Sequence, residues 1–262
     1  MISILTPTYN RAHTLERLFD SLKNQSDYDF EWIIVDDGSS DETKSVINSF
    51  QQNCDFNIIY CYQDNAGKPQ ALNQGIKLCN TDYIFIVDSD DALMCDAISS
   101  IKESVELSLT DNQDFSGVGF RRSYFDGNII GKDTSGKNSS ILYLHSSEAG
   151  DIFCGDLAYC FKKKYLEKYP FPKIENEKFV PELYIWNKIT DEAKVRFNIN
   201  KSIYLCEYLE DGLSHNFYSQ LRKNPKGFKL FYIDQFKREK MSLKKIKMLI
   251  RVIQCNLNEM LS

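Results

Sequence analysis

Residues 83–94 read YIFIVDSDDALM. Five apolar or aromatic residues, Tyr83 to Val87, are followed by Asp88, Asp90 and Asp91 within four positions. The run is too short for a buried helix and rich in β-branched and aromatic types, so it predicts a strand covered on both faces, with the carboxylates at its carboxyl end. In an open α/β sheet that edge is where ligands bind. Carboxylates this close repel one another unless a cation or a donor sits among them, which points to a divalent metal site. Asp and Ser also form loops and helix caps without any metal, and Asp91 is expected to cap the next helix.

Upstream of this stretch, strand-like and helix-like segments alternate. ISIL (2–5) predicts a short strand, and Leu15, Leu18, Phe19 and Leu22 then recur at helical spacing. EWIIVDDGSSDET (31–43) predicts a buried strand ending in Asp36 and Asp37 and a tight turn at Gly38. Ser39 and Glu42 form a capping-box pattern that should open a helix through Val46, Ile47 and Phe50. FNIIYCYQ (56–63) predicts a third strand and PQALNQGIKLC (69–79) a short helix before the strand at 83. This alternation implies a parallel sheet wound right-handedly, with helices on both faces. Beyond Asp96 the pattern loosens. Ile98, Ile101 and Val105 predict one more helix, FSGVGFRRSYFDGNIIG (115–131) a strand and hairpin, and KDTSGKNSS (132–140) a polar, flexible loop.

A chain of 262 residues can bury a full core as one large domain or as one domain with an appendage. Its hydrophobic fraction of 42% and aromatic fraction of 13% are globular values. No run approaches the roughly 18 apolar residues of a membrane helix, and MISILTPTYNRAH lacks the features of a secretory signal. The expectation is a cytoplasmic protein. The eight cysteines are scattered without a CxxC pair and read as small core residues, and three histidines (13, 145 and 215) make a structural zinc site improbable.

The net charge of −5 conceals an asymmetry. Arg222 to Arg251 holds eleven Lys or Arg against Asp234 and Glu239, a net of +9 that leaves −14 on the rest. Within it, Leu243, Ile246, Leu249, Ile250, Ile253 and Leu257 share one face of a helix capped by Ser242, with Lys244, Lys245, Lys247 and Arg251 largely elsewhere. Residues 222–257 are therefore expected either to make a peripheral contact with anionic lipid or to pack on the body with their charges solvated. Nucleic acid is not an expected partner, because the last stretch lacks interleaved aromatics and the body is acidic. The organisation read from the sequence is one domain over 1–220, in halves 1–100 and 101–220, followed by a basic amphipathic tail over 221–262.

TPTYNR (6–11), IIVDDGSSDET (33–43), NAGKPQALNQGI (65–76) and YIFIVDSDD (83–91) occur in the order and approximate spacing of the family 2 glycosyltransferases, which the first hundred or so residues resemble. The resemblance implies an α/β GT-A fold, a Rossmann-like, mostly parallel sheet flanked by helices, here with a C-terminal helical extension. It implies inverting transfer from a nucleotide-diphosphate sugar, most often a UDP-sugar, to a hydroxyl of a glycan or lipid-linked acceptor in surface polysaccharide synthesis. Asp88, Ser89 and Asp90 match its D-x-D signature for Mn²⁺ or Mg²⁺, a hard cation suited to diphosphate oxygens. Asp90 would be the direct ligand, Asp88 would contact ribose or a metal-bound water, and Ser89 would join the donor contacts. Pro7, Thr8, Tyr9 and Arg11 would hold the nucleotide, and Asp37 would accept the N–H of the base. Asn65, Gly67, Lys68 and Asn73 match the helix beneath the nucleotide, with Lys68 either near the diphosphate or solvated.

Transfer also needs a base for the acceptor hydroxyl. In many family members an acidic pair stands with its second member, the base, four residues before a Trp. Here Pro181 and Glu182 precede Trp186, so Glu182 falls at the base position although Pro replaces the first acid and Glu replaces Asp. Glu182 would otherwise simply begin a helix after Pro181, and Glu175 and Glu177 are alternative bases. Asp156 and Trp186 become acceptor contacts, and His215 a further metal or diphosphate ligand. Two other functions fit part of the pattern: a haloacid-dehalogenase-type phosphohydrolase, although Ala92 stands where that motif wants Thr or Val, and a catalytically silent sugar-nucleotide binder.

Overall fold

The computed structural model describes residues 1–111, 113–134, 136, 139–208 and 216–261. The expected alternation forms as β1 (Ile2–Thr8), α1 (Ala12–Lys23), β2 (Phe30–Asp36), α2 (Thr43–Gln52), β3 (Asn57–Tyr62), α3 (Lys68–Leu78) and β4 (Tyr83–Ile86), with these four strands parallel. A two-residue β5 (Ala92–Leu93) and α4 (Ala97–Thr110) lead to β6 (Phe115–Ser123), β7 (Ile141–Leu144), α5 (Ser146–Phe153), β8 (Leu157–Lys162) and α6 (Lys163–Lys168). Then come α7 (Leu183–Glu192), β9 (Lys194–Leu205), α8 (Phe217–Lys223), α9 (Pro225–Arg238) and α10 (Leu243–Leu261).

One sheet runs β3-β2-β1-β4-β8-β6-β9-β5, with β7 paired to β9. β8 runs against both β4 and β6, while β6 and β9 are parallel to each other, so the sheet is mixed but mostly parallel. Alternation along the strands sends Ile4, Trp32 and Ile34 to one face, where they meet Leu15, Leu18, Ile47 and Phe50. There the Phe19 and Phe50 rings stack at 4.0 Å. Leu5, Ile33 and Val35 point to the other face and meet Leu72, Ile76 and Trp186. Every residue of β1 and β2 is buried, as expected for strands covered by helices on both sides.

Register puts the chemistry on one edge. Thr8 lies opposite Asp36, and Ile86 lies opposite Leu5, so β1, β2 and β4 deliver Tyr9, Asp37 and Asp88 to the same side of the sheet.

Local details depart from the sequence reading. The Ser39–Glu42 capping box does not form: α2 begins at Thr43, whose N–H and hydroxyl both donate to Asp41 Oδ1 at 3.1 and 2.6 Å. The Ser39 hydroxyl instead accepts the Asn10 N–H at 2.9 Å, tying the first two strand ends together. The hairpin after β6 forms, with Ser123 bridged to Ile129, and residues 135, 137 and 138 of the expected polar loop lie outside the described residues. The boundary expected at 220 falls inside α8. α9 is stitched to the body through the Arg238 guanidinium, which donates to Asp191 of α7 at 2.6 Å, and through Glu177, which accepts the Lys226 and Gly227 N–H groups at 2.8 Å. Among the described residues no helix is long and apolar enough to cross a membrane.

Candidate active site

A cleft of about 390 Å³ opens at the carboxyl edge of the sheet. Pro7, Thr8, Tyr9, Arg11, Asp37, Asn65, Gly67, Lys68, Asp88, Ser89, Asp90 and Asp156, all expected from the sequence, line it together. Its floor is the turn after β4. Val87 N–H still donates to Leu5 O, and Asp88 N–H then donates to the Tyr204 hydroxyl at 2.9 Å. That hydroxyl donates in turn to Asp91 Oδ2 at 2.7 Å, so one β9 tyrosine fixes both ends of the acidic turn. On the outer side Thr14 donates to Ser89 O at 3.0 Å and Arg17 to Asp90 O.

Asp91 therefore does not cap a helix. It is 4% exposed and lies 3.6 Å from Arg122 Nη1, which also approaches Asp88 Oδ2 at 3.9 Å. The Arg122 guanidinium sits 4.0 Å above the Tyr204 ring. Burial, with the Asp88 charge adding to it, pushes the Asp91 carboxyl up to about 7. Burial alone would raise Asp88 too, but Lys68 and then Arg122 outweigh it and hold that carboxyl below the usual range. Asp90 is raised by burial and by Asp88. A carboxylate whose charge is disfavoured in this way gains most from an added cation, and Asp90 with Asp88 behind it has the hard oxygen donors that Mg²⁺ or Mn²⁺ takes. Among the described residues no three His, Cys, Asp or Glu side chains are grouped to hold an ion by themselves.

Lys68 opens α3 and reaches across the cleft. Its Nζ is 2.5 Å from Asp88 Oδ1 and 2.8 Å from Glu182 Oε1. Burial would lower its pKa, but Asp88 and then Glu182 raise it, so the ammonium is held charged. Glu182 stands at the start of α7 without capping it through its side chain, which leaves the carboxylate turned to Lys68. Glu177 is committed elsewhere, on the first N–H groups of α9.

One wall of the cleft is built around Asp37. Its Oδ1 accepts from Gln63 Nε2 at 2.7 Å and Ala66 N–H at 2.8 Å, and its Oδ2 from Gly67 N–H at 2.8 Å. Asp37 thus shapes the 65–67 loop while Oδ2 keeps acceptor capacity. Gly67 has φ +93°, and a Cβ there would lie 1.9 Å from Lys178 O, so only glycine lets the segment before Glu182 close on this loop. Lys178 Nζ completes the contact by donating to Asn65 Oδ1 at 2.6 Å. Thr8 Oγ1 is buried beside the cleft with no hydrogen-bond partner among the described residues. On the far wall the Tyr208 hydroxyl donates to Asp156 Oδ2 at 2.6 Å.

Two expected contacts are corrected. Asn73 does not line this cleft: its amide donates to Phe171 O at 2.8 Å and accepts Phe171 N–H at 2.9 Å, clamping the chain behind α3. Trp186 is not an acceptor contact but a core residue, 4% exposed and packed among Phe161, Phe171 and Tyr159. His215 lies outside the described residues. Sequence reasoning missed Arg122 and Tyr204. The signal for the first was a pair of arginines, FRRS, inside an otherwise apolar strand. Alternation sends them to opposite faces, Arg121 to carbonyls of the 130–132 turn and Arg122 to the cleft.

The family model described as "Glycosyl transferase family 2" matches residues 3–168. A GalNAc(5)-diNAcBac-PP-undecaprenol beta-1,3-glucosyltransferase of Campylobacter jejuni is 28% identical over 216 residues, covering 77% of this chain and 62% of that relative, so the matched stretch spans under two thirds of its length. Among solved structures, S. aureus TarS 1-349 in complex with UDP-GlcNAc superposes with a TM-score of 0.66 at 16% identity, covering 98% of this chain and 72% of that one. Mannosyltransferase PcManGT of Pyrobaculum calidifontis, in complex with GDP-Man and Mn²⁺, gives 0.61 at 18% identity over 97% of this chain and 68% of that one. At these identities the structural likeness is one of fold.

Proposed function

The chain belongs to glycosyl transferase family 2, and from that premise we propose that it transfers a sugar from a UDP-sugar to a hydroxyl of a glycan or lipid-linked acceptor, with inversion. The observation that carries this reading is the Lys68 bridge. Glu182 lies beyond the residues that the family model matches, yet one ammonium joins it to Asp88 of the acidic turn. A base and a diphosphate site so connected suit one displacement at one sugar carbon.

In that displacement Glu182 takes the proton of the acceptor hydroxyl as its oxygen bonds to the anomeric carbon and the bond to the diphosphate oxygen breaks. A single displacement inverts the centre. Lys68 keeps the base aimed into the cleft and, with Arg122, gives positive charge to the side where the diphosphate departs. Asp90, with Asp88, would hold Mg²⁺ or Mn²⁺, which when bound supplies charge neutralisation for the leaving group. Tyr9 and the open acceptor position on Asp37 Oδ2 favour a flat base bearing an imide N–H. The lipid-linked acceptor finds support in the PP-undecaprenol substrate named for the C. jejuni relative. The phosphohydrolase alternative falls with the family membership.

Calorimetric titration with UDP, GDP and dTDP, with and without Mn²⁺, tests the donor site on the wild type and on Asp90→Ala. UDP is expected to bind only with Mn²⁺ and only with Asp90 present. Failure of every nucleotide to bind would remove the reading's chemical basis.

A further inference from the structure

Helix α10 runs 19 residues, about 28 Å, along the outside of the molecule. Met248, Val252 and Cys255 pack it against Leu221, Phe228 and Tyr232. Ion pairs fix it in place: Lys244 with Asp151 at 2.7 Å and Glu239 at 2.5 Å, and Glu259 with Lys229 at 3.0 Å. The opposite face points away from the body. It carries Leu243, Ile246, Ile250, Ile253, Leu257 and Met260, each between 50% and 86% exposed.

We propose that this face joins a second copy of the chain, α10 against α10 about a two-fold axis. The spacing of these six residues is 3, 4, 3, 4, 3, the a/d repeat of a helix seam that keeps facing one partner helix. The seam is self-complementary. In an antiparallel pair Ile250 meets Ile253, Ile246 meets Leu257 and Leu243 meets Met260, which is the isologous contact a two-fold dimer requires. With Leu249 alongside, the exposed side chains offer on the order of 800 Å² of surface, about what each partner buries in a standard interface. A patch of this size is larger than most monomers leave in water.

No seam position is charged, so the face itself has the apolar chemistry of a partner helix rather than of a headgroup contact. Of the basic residues of α10, Lys244 is paired with Asp151 and Glu239, and Lys245 and Arg251 lie against the Phe236 and Phe217 rings, off the seam.

Sedimentation of the whole chain tests the proposal across the micromolar range. The wild type and Ile250→Leu/Ile253→Leu should sediment with twice the monomer mass, and Ile250→Glu/Ile253→Glu with the monomer mass, its circular dichroism and UDP affinity unchanged. A wild type that is monomeric throughout overturns the proposal, as does a glutamate variant that stays dimeric. A monomeric wild type that pellets with phosphatidylglycerol vesicles would assign the face to a membrane instead.

Discussion

Lys68 draws Asp88 and Glu182 together, so the two carboxylates differ in what they do for a bound donor but share a counter-charge. Glu182→Gln keeps the side chain's size and its hydrogen bond to Lys68 while removing the proton acceptor. We expect UDP affinity in the presence of Mn²⁺ to stay within about twofold and turnover to fall by about 10² to 10⁴. Normal turnover in that variant would reassign the base. Glu182 was readable in the sequence only through its distance from Trp186, and its partner was not. Lys68 stands 114 positions earlier, and nothing in local spacing links them. Arg122 was hidden for a related reason. A charge inside a buried strand is informative only once its neighbours are known, and these are Asp88, Asp91 and Tyr204 from two other strand ends.

Among the elements, α7 carries two tasks on opposite ends of one turn. Glu182 at its start turns to Lys68, and Trp186, one turn on, packs into the core beside Phe161 and Phe171. Trp186→Ala is therefore expected to cost about 3–5 kcal/mol of stability by leaving a cavity among three aromatic rings. Thermal unfolding would register this as a large drop in Tm, while the folded fraction should bind donor and acceptor as before. A variant with unchanged Tm and weakened acceptor binding would restore Trp186 to the site. The strands β1 to β4 and helices α1 to α4 were legible because period-2 and period-3.6 patterns report burial directly. The start of α2 was not. Ser39 is engaged instead by the N–H of Asn10, 29 residues away, and the helix opens at Thr43, whose N–H and hydroxyl donate to Asp41.

For the whole molecule, the C-terminal helices are held to the body by charge as much as by packing. Asp191 and Arg238 form a paired contact at the α7–α9 junction, with His145 Nε2 at 3.3 Å. The hydrogen bond from Arg238 lowers the Asp191 pKa below its ordinary 3.8, against a smaller opposing effect of burial. A depressed folded-state pKa means the pair's stabilisation is fully present above pH 3.8 and is lost as the pH falls through the folded value. The Tm gap between wild type and Asp191→Asn should thus be present at neutral pH and close in the acid range below 3.8. The gap should be modest, since Asp191 is about half exposed and solvent screens the pair. A gap that persists below that range would mean the asparagine acts through packing.

By itself the sequence determined the fold of the first half, the family, and the residues at the ends of the first, second and fourth strands, because each depends on short-range pattern and on order along the chain. Tertiary structure decided which of those residues meet. It joined Lys68 to Glu182, paired the buried Asp91 with Arg122 beside Asp88, withdrew Asn73 and Trp186 into the scaffold, and left one face of α10 uncovered. Such outcomes depend on strand order and on contacts between residues far apart in the chain, which only the folded sheet brings within a few ångströms of one another.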